Sequence, residues 1–590
     1  MATTYDNASL VMIPSGVKED KLYSIKPTDG SGDFTFSRGT DTATRVNASG
    51  LIEKERGNLA IQSNSFSTSW SATNATLTSG QSGYDGSSDA WSLSGTGANA
   101  RVDINNTSSG LLTWSVYAKA GSSDFLRLRV DYGAAYVDKY FDLSNGSLGG
   151  SFFAPIISNI EAVGATGWYR CSVTLSQSIS TIRIYTADVD LGGSSTGNIY
   201  IQDAMLNQGL VAQPYIETTT AAVYEGITDN LPRLDYSGGA SCPSLLLEGS
   251  RTNGLPQSEY FNAWSALNGV SITPNSATSP EGVQNASLMT ASGAGSSARS
   301  VRISGQSTST DIKTMSVYAK ANTHDYIQLF HSGDAQAYVN FDLSSGEVGT
   351  SGTSGTGDIE PMENDWYRCI ATFDSGANFG SSVYVGLATS SSAPYGGGSI
   401  SDTSLSVYIF GAQYETGSYP TSYIPTMGTS ASRAADVCNK SSATSIIGQT
   451  EGTMFVEAKI DANSTDDYNR IFGISQGNDS YRIIIFSNDQ EKIALNVKNA
   501  AVSQVQIVSN ISPFSTFKAA VGYSANDFVF YINGQQIGTD SSGTVPACDT
   551  ISLGTHEDGS GTRAIEGNVK QALLFDTRLT NAELAALTTL

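Results

Sequence analysis

Two stretches decide how this chain reads: TWSVYAKAGSSDFLRLRV (Thr113–Val130) and TMSVYAKANTHDYIQLFH (Thr314–His331), near copies about two hundred residues apart. Within the first, Trp114, Val116 and Ala118 alternate with Ser115, Tyr117 and Lys119. Leu126, Leu128 and Val130 then alternate with Arg127 and Arg129. Period-two alternation puts successive side chains on opposite faces, the mark of half-buried antiparallel strands. The same pattern recurs in WYRCSVTL, where Tyr169, Cys171, Val173 and Leu175 share a face.

The likeness extends outward on both sides. LIEKERGN (Leu51–Asn58) aligns with LLEGSRTN (Leu246–Asn253), FDLSNGSLG with FDLSSGEVG, and WYRC at Trp168 with WYRC at Trp366. IYIQDAMLNQG aligns with VYIFGAQYETG. A repeat this long is a duplicated domain rather than one turn of a solenoid. Each copy holds about eight to ten short strands joined by Gly/Ser/Asn turns, which predicts a two-sheet sandwich of jelly-roll type.

A third segment is again strands, including GTMFVEAKI, SYRIIIF and FKAAVGYSANDFVFYINGQQIG. Asn526-Asp527 and Asn533-Gly534 read as hairpin turns. Thr580 and Glu583 form a capping box that opens a terminal helix. The expected division is therefore residues 1–57, an irregular N-terminal attachment segment; 58–217, the first jelly roll; 218–252, a connector; 253–437, the second jelly roll; and 438–590, a third sandwich. The fold class is all-β, with tandem antiparallel sandwiches.

Composition agrees. Of 590 residues, 15% are charged and 60 are Gly, while 28 Tyr and 21 Phe supply cores and argue against disorder. The net charge of −23 opposes nucleic acid and anionic membranes as partners. The opening MATTYDNASLVMIPSG has no basic, apolar leader, and no long apolar run follows, so neither export nor membrane insertion is expected. Five cysteines include no CxxC pair, and Cys171 and Cys369 hold equivalent strand positions, as small buried apolar groups do.

Several phrases resemble a known group. LVMIPSGVKEDKLYSIKPTDGSGDFTFSRGTDTATRVNASGLIE is similar to the opening of a family of tailed-phage virion proteins, and PRLDYSGGASCPSLLLEGSRTN with QSEYFNAW to that family's domain junction. The repeats resemble the family's carbohydrate-binding jelly rolls. FVEAKI, FYINGQQIG and ALLFDTRLTNAEL resemble concanavalin A-like (laminin-G-like) domains. The resemblance implies a fibre or decoration protein assembled with other virion proteins, a homo-oligomer with a trimer favoured, exposed on the released particle and touching host-surface glycans.

Catalytic signals are sparse. None of the three histidines sits near a cysteine or carboxylate cluster with ligand spacing, and there is no P-loop. On a concanavalin A-like sheet, hydrolysis needs paired carboxylates. FVEAKID offers Glu457 and Asp461 but places Lys459 between them. A non-enzymatic protein is expected, with a glycan depolymerase and a purely architectural protein as the alternatives. For sugar contact the candidates are Tyr117, Arg127, Arg129 and Tyr318, read as outward-facing rings and guanidiniums. DANSTDDYN offers Asp461, Asp466 and Asp467 as oxygen ligands for Ca²⁺, in a composition that also simply makes turns.

Overall fold

A computed structural model describes residues 2–192, 194–292, 299–374, 376, 379–462 and 468–590. The alternation in the opening stretches becomes two sandwiches of one topology. In the first repeat a six-stranded sheet runs in the order Ile157–Ala162, Trp168–Ser176, Leu111–Ala120, Asn198–Gln208, Ala90–Gly95, Ala75–Gln81. The second repeat lays Gly355–Pro361, Tyr367–Phe373, Lys313–Ala321, Ser406–Thr416, Ala286–Ala291 and Val270–Ala277 in the same order. The facing sheets also agree: Ala135–Asp142, Phe125–Tyr132, Thr181–Ala187 and Arg101–Asn105 correspond to Tyr338–Asp342, Tyr326–His331, Ser382–Leu387 and Ser300–Ser304. Even the irregularity is shared, with register shifts at Ser115/Tyr117 and Ser316/Tyr318.

The inward set of each alternation fills the core. Trp114, Val116, Leu126, Leu128 and Cys171 are fully buried in one repeat, as are Met315, Val317, Ile327, Leu329 and Cys369 in the other. Gly146 and Gly346 take positive φ (73° and 70°) in the matching SNG and SSG turns, where a Cβ would strike the rings of Tyr169 and Tyr367. Each repeat is closed by a clasp between its entry and exit: Arg56–Asn58 pairs with Val223–Glu225, and Arg251–Asn253 with Ala431–Arg433. The asparagine of each clasp is buried. Asn58 donates to the Ala204 and Ile216 carbonyls, and Asn253 to those of Ala412 and Ile424.

The third sandwich departs from the division read in sequence. Residues 1–57 and 218–252 are not separate attachment and connecting segments, because they supply strands to it. Leu10–Met12 and Ser244–Leu247 pair with the two ends of one edge of Glu566–Phe575, and Arg233–Asp235 lies beyond Ser244–Leu247 on the same sheet. In the opposing sheet Phe34–Ser37 pairs with Val437–Lys440, followed by Thr550–Leu553. The core shows why. Leu10, Met12, Leu22, Phe34, Phe36, Leu245 and Leu247 pack with Met454, Val456, Phe472 and Ile551 in one buried cluster. Residues 438–590 therefore leave their apolar faces incompletely covered until the earlier strands arrive. The expected turns at Asn526-Asp527 and Asn533-Gly534 form, and Asn581–Thr588 is helical with the Thr580/Glu583 capping box in place.

Where these pieces meet, charge is buried. Asp436 accepts from Arg38 at 3.2 Å and from Arg233, and all three side chains have zero exposure. Arg233 also reaches Glu248 at 2.5 Å, and Glu248 takes Arg433 at 3.0 Å and the Ser422 amide at 2.7 Å. A second buried site joins Lys54 to Glu259 (2.5 Å) and Glu281 (2.7 Å) of the second repeat. Ions withdrawn from water this completely are stabilised only by complete pairing.

Two stability outcomes follow from this packing. Phe36→Ala removes a fully buried ring contributed from outside residues 438–590, and it is expected to cost about 3–5 kcal/mol in urea unfolding of the full chain. Asp436→Asn leaves the buried Arg38 guanidinium without its carboxylate and Arg233 with Glu248 alone, and is expected to cost about 3–5 kcal/mol in the same measurement. A loss under 1 kcal/mol for either would contradict the assignment.

Candidate functional site

On the sheet of the first repeat that carries Phe125–Tyr132, the outward set of the alternation makes a polar and aromatic surface. The registers align it in rows. One row crosses the strands as Arg101, Tyr185, Arg127, Tyr140, and the next as Asp103, Arg183, Arg129, Asp138. Arg127 gives Nε and Nη2 to the same oxygen of Asp138, Oδ2 (2.9 and 2.7 Å), and is only 7% exposed. Its guanidinium lies 5.0–5.8 Å from the rings of Tyr185, Tyr140, Phe152 and Tyr136. Arg129 stacks over Tyr136 at 3.7 Å and gives its Nε to Asp131 at 2.6 Å. Arg183 reaches the other oxygen of Asp131 at 2.6 Å. Arg129, Arg183 and Arg101 keep 22–24% of their side chains in solvent. Beside them Phe152 and Phe153 are more than half exposed, with Phe153 edge-on to Tyr136 at 4.8 Å.

Of the candidates for sugar contact, this surface brings together Arg127 and Arg129. Arg127 is buried under Phe152 and serves as a support, whereas Arg129 is accessible. Tyr117 is not with them, because it lies on the opposite sheet. One face of its ring is stacked by Tyr84 (3.9 Å, 11°), and the Arg170 guanidinium lies 5.2 Å from its centroid. Tyr318, expected to face outward, is 4% exposed and packs with Ile52, Trp366, Phe410 and Tyr423. The rings against it are Phe410 and Tyr423, which lie about a hundred residues on, so the local pattern around Tyr318 could not reveal them. Sequence reasoning also missed Arg101, Arg183, Tyr185 and Tyr136. The available signal was TIRIYTA (Thr181–Ala187), which alternates as FLRLRV does.

The equivalent surface of the second repeat has different chemistry. Gln328, Phe330, Tyr384 and Ser300 stand where the first repeat has Arg127, Arg129, Arg183 and Arg101. Phe330 and Tyr384 stack in parallel at 4.4 Å and 8°, with Tyr395 edge-on to Phe330 at 5.2 Å.

In the third sandwich Asp461 is half exposed and pairs with Lys459 at 2.7 Å. Asp466 and Asp467 lie outside the described residues. Glu457 accepts from Gln571 at 2.7 Å. Asp479, His556 and Glu557 converge closely enough to ligate an ion. However, Arg470 and Arg482 both point into that cluster, donating to Glu557 at 3.0 and 3.1 Å and pairing with Asp479. Two guanidiniums on the ligand oxygens repel a cation, so the residues form an ion-pair network rather than a Ca²⁺ cradle.

A cavity of about 510 Å³ opens where the N-terminal segment, the base of the first repeat and the connector meet. Asp41, Glu53, Glu55, Arg56, Tyr224 and Gln213 line it. Burial, reinforced by the charges of Asp41 and Asp229, pushes the Glu55 carboxyl up to about 8. Glu566, at the edge of the buried ionic junction, is pushed up to about 8 by burial and by the charge of Glu248.

Comparison with known proteins places part of the chain. Residues 439–585 match the concanavalin A-like lectin/glucanases superfamily, and they fold as that kind of sandwich. No curated protein matches the chain. Among solved structures, the carbohydrate-binding module of the Ruminococcus gnavus intramolecular trans-sialidase bound to α2,3-sialyllactose is 13% identical, with a TM-score of 0.23, covering 25% of this chain and 86% of its own. Domain 4 of an extracellular arabinanase from Geobacillus stearothermophilus, in complex with arabinotriose, is 12% identical (TM-score 0.22; 26% and 73% covered). A heptameric pentraxin from Limulus polyphemus is 17% identical (TM-score 0.20; 23% and 68% covered).

The raised carboxyls set a pH dependence. Glu55 and Glu566 release their protons near 4.5 when unfolded but only near 8 when folded. Their contribution to stability is therefore complete below about pH 4.5 and is lost as pH rises through 8. Calorimetry from pH 5 to 9 is expected to show Tm falling with pH. Glu55→Gln and Glu566→Gln should each flatten the fall, raising Tm at pH 8–9 relative to the parent. A slope unchanged in both variants would refute the burial argument.

Proposed function

We propose that this chain is a non-catalytic structural and adhesive protein of a tailed-phage particle, whose sandwich faces hold host-surface glycans. The observation that carries the adhesive part is the surface on the first repeat. Partly exposed guanidiniums stack on tyrosines beside exposed phenylalanines, held by registers that fix their spacing before any ligand arrives. Rings that stack on sugar faces, flanked by planar hydrogen-bond donors, are what saccharide recognition requires. Two such sandwiches, with a third related to lectins, favour many weak contacts over one tight one. The particle assignment rests on the phrases around Leu10–Glu53 and Pro232–Asn253. Self-association, in which a trimer is favoured, belongs to the same proposal.

The absence of hydrolysis is supported by how carboxylates are used on the faces. Asp103, Asp131 and Asp138 are each tied to arginine, and Asp461 to lysine. One observation favours a depolymerase instead. Glu55 keeps its proton near neutral pH inside a cavity that Asp41 and Glu53 also line, as a general acid of a glycosidase would.

Saturation-transfer NMR of the full chain against a panel of neutral and acidic oligosaccharides is expected to show millimolar binding, with no new reducing ends in the same samples after a day. Release of oligosaccharide that disappears in Glu55→Gln would establish the depolymerase. Immunogold labelling of released particles tests the address, and unlabelled particles would reject it.

A further inference from the structure

The two repeats share backbone, order and register, yet the central cross-strand pair of their outer surfaces differs. In the first repeat it is Arg129 opposite Arg183, and in the second Phe330 opposite Tyr384. Like charges directly opposite on neighbouring strands repel and are ordinarily avoided. Here they are held together by a single carboxylate, Asp131, which gives one oxygen to each. The neighbouring aspartates are already engaged, Asp103 with Arg101 and Asp138 with Arg127. Within these rows four arginines face three aspartates, with Asp190 beside Tyr140 at the edge, on a chain whose net charge is −23. Donor capacity is also left over. Among the described residues Arg129 uses only its Nε, and the Nε of Arg183 is buried with no acceptor. Tyr136 beneath Arg129 and Phe153 beside it supply apolar contact at the same place.

The geometry points to a selective site for acidic glycans at Arg129 and Arg183 of the first repeat, a site the second repeat does not reproduce, because its counterpart Phe330 is 3% exposed beneath Tyr384. This deepens the adhesive reading and rests on it. A carboxylate or sulfate on the sugar would receive the guanidinium N–H groups that Asp131 leaves free, and the sugar ring would lie against Tyr136 and Phe153. Charge-assisted, forked hydrogen bonds of this kind discriminate strongly against a neutral sugar of the same shape. The second repeat has Phe330 and Tyr384 at these two positions, and its one guanidinium in that row, Arg302, stands in the place of Asp103.

Isothermal titration of the full chain with trigalacturonate, a sulfated galactose trisaccharide and neutral galactotriose tests this. The acidic sugars are expected to bind at least tenfold more tightly than galactotriose at 50 mM NaCl, and to weaken severalfold at 500 mM. Arg129→Gln and Arg183→Gln each leave one guanidinium on Asp131, so the fold is kept. Each should lower acidic-sugar affinity about tenfold and leave galactotriose unchanged. Preference for one acidic trisaccharide over the other identifies the anion. Equal binding of acidic and neutral sugars, or acidic binding that survives both arginine variants, would overturn this site while leaving glycan adhesion standing. No binding of any trisaccharide would overturn both.

Discussion

Asp436 has no contact with solvent, yet it must carry a charge, because Arg38 and Arg233 close on it from two other parts of the chain. The rest of the architecture depends on that contact. Asp436 leaves the second repeat, Arg38 belongs to the N-terminal strands and Arg233 to the segment between the repeats. Glu248 and Arg433 complete the arrangement. No pair of these ions is complete without a third, so each segment is held in place by the others. An apolar junction of the same size would tolerate sliding, whereas a fully buried ionic one does not, because any displacement leaves an uncompensated charge in a medium that cannot solvate it. The junction thus fixes how the third sandwich is assembled and where the second repeat sits against it.

What was readable in sequence followed from local pattern. The duplication, the strand alternation in Thr113–Val130 and Thr314–His331, the hairpin at Asn533-Gly534 and the capped terminal helix are all set by neighbours within a few residues. The N-terminal strands escaped for the opposite reason. Val17–Lys18 and Lys21–Leu22 are too short to show a period, and the partner of Phe34–Ser37 lies some 400 residues away. Tyr117 and Tyr318 make the same point at the level of a side chain. They hold equivalent strand positions, but one is stacked by Tyr84 and the other is packed between Phe410 and Tyr423, each from a distant part of its own repeat. Arg129 was legible as an outward residue. Its partner Arg183 was not, because register between strands 50 residues apart is written in the packed core rather than in either strand.

The duplicated domain also separates what a fold needs from what a surface does. The buried asparagines of the clasps, the turn glycines against Tyr169 and Tyr367, and the inward aliphatic residues recur in both copies. The outward rows do not. Asp138 becomes Tyr338, Arg127 becomes Gln328 and Tyr185 becomes Gly386 across the aligned registers. One scaffold has kept its interior and exchanged its exterior.

The pairing of distant strands has a consequence for how the molecule comes into being. The Tyr5 hydroxyl donates to Gln571 across a separation of 566 positions, next to the ladder that joins Leu10 to Leu574. A ribosome moving at roughly 5–20 residues per second needs on the order of half a minute to two minutes to cover that distance. Within that interval both repeats can fold, while most of the core that buries Phe34 and Phe36 is still to be made. Closure of the third sandwich thus comes after the folding of both repeats, and the slowest contacts to form are those that bury the earliest residues.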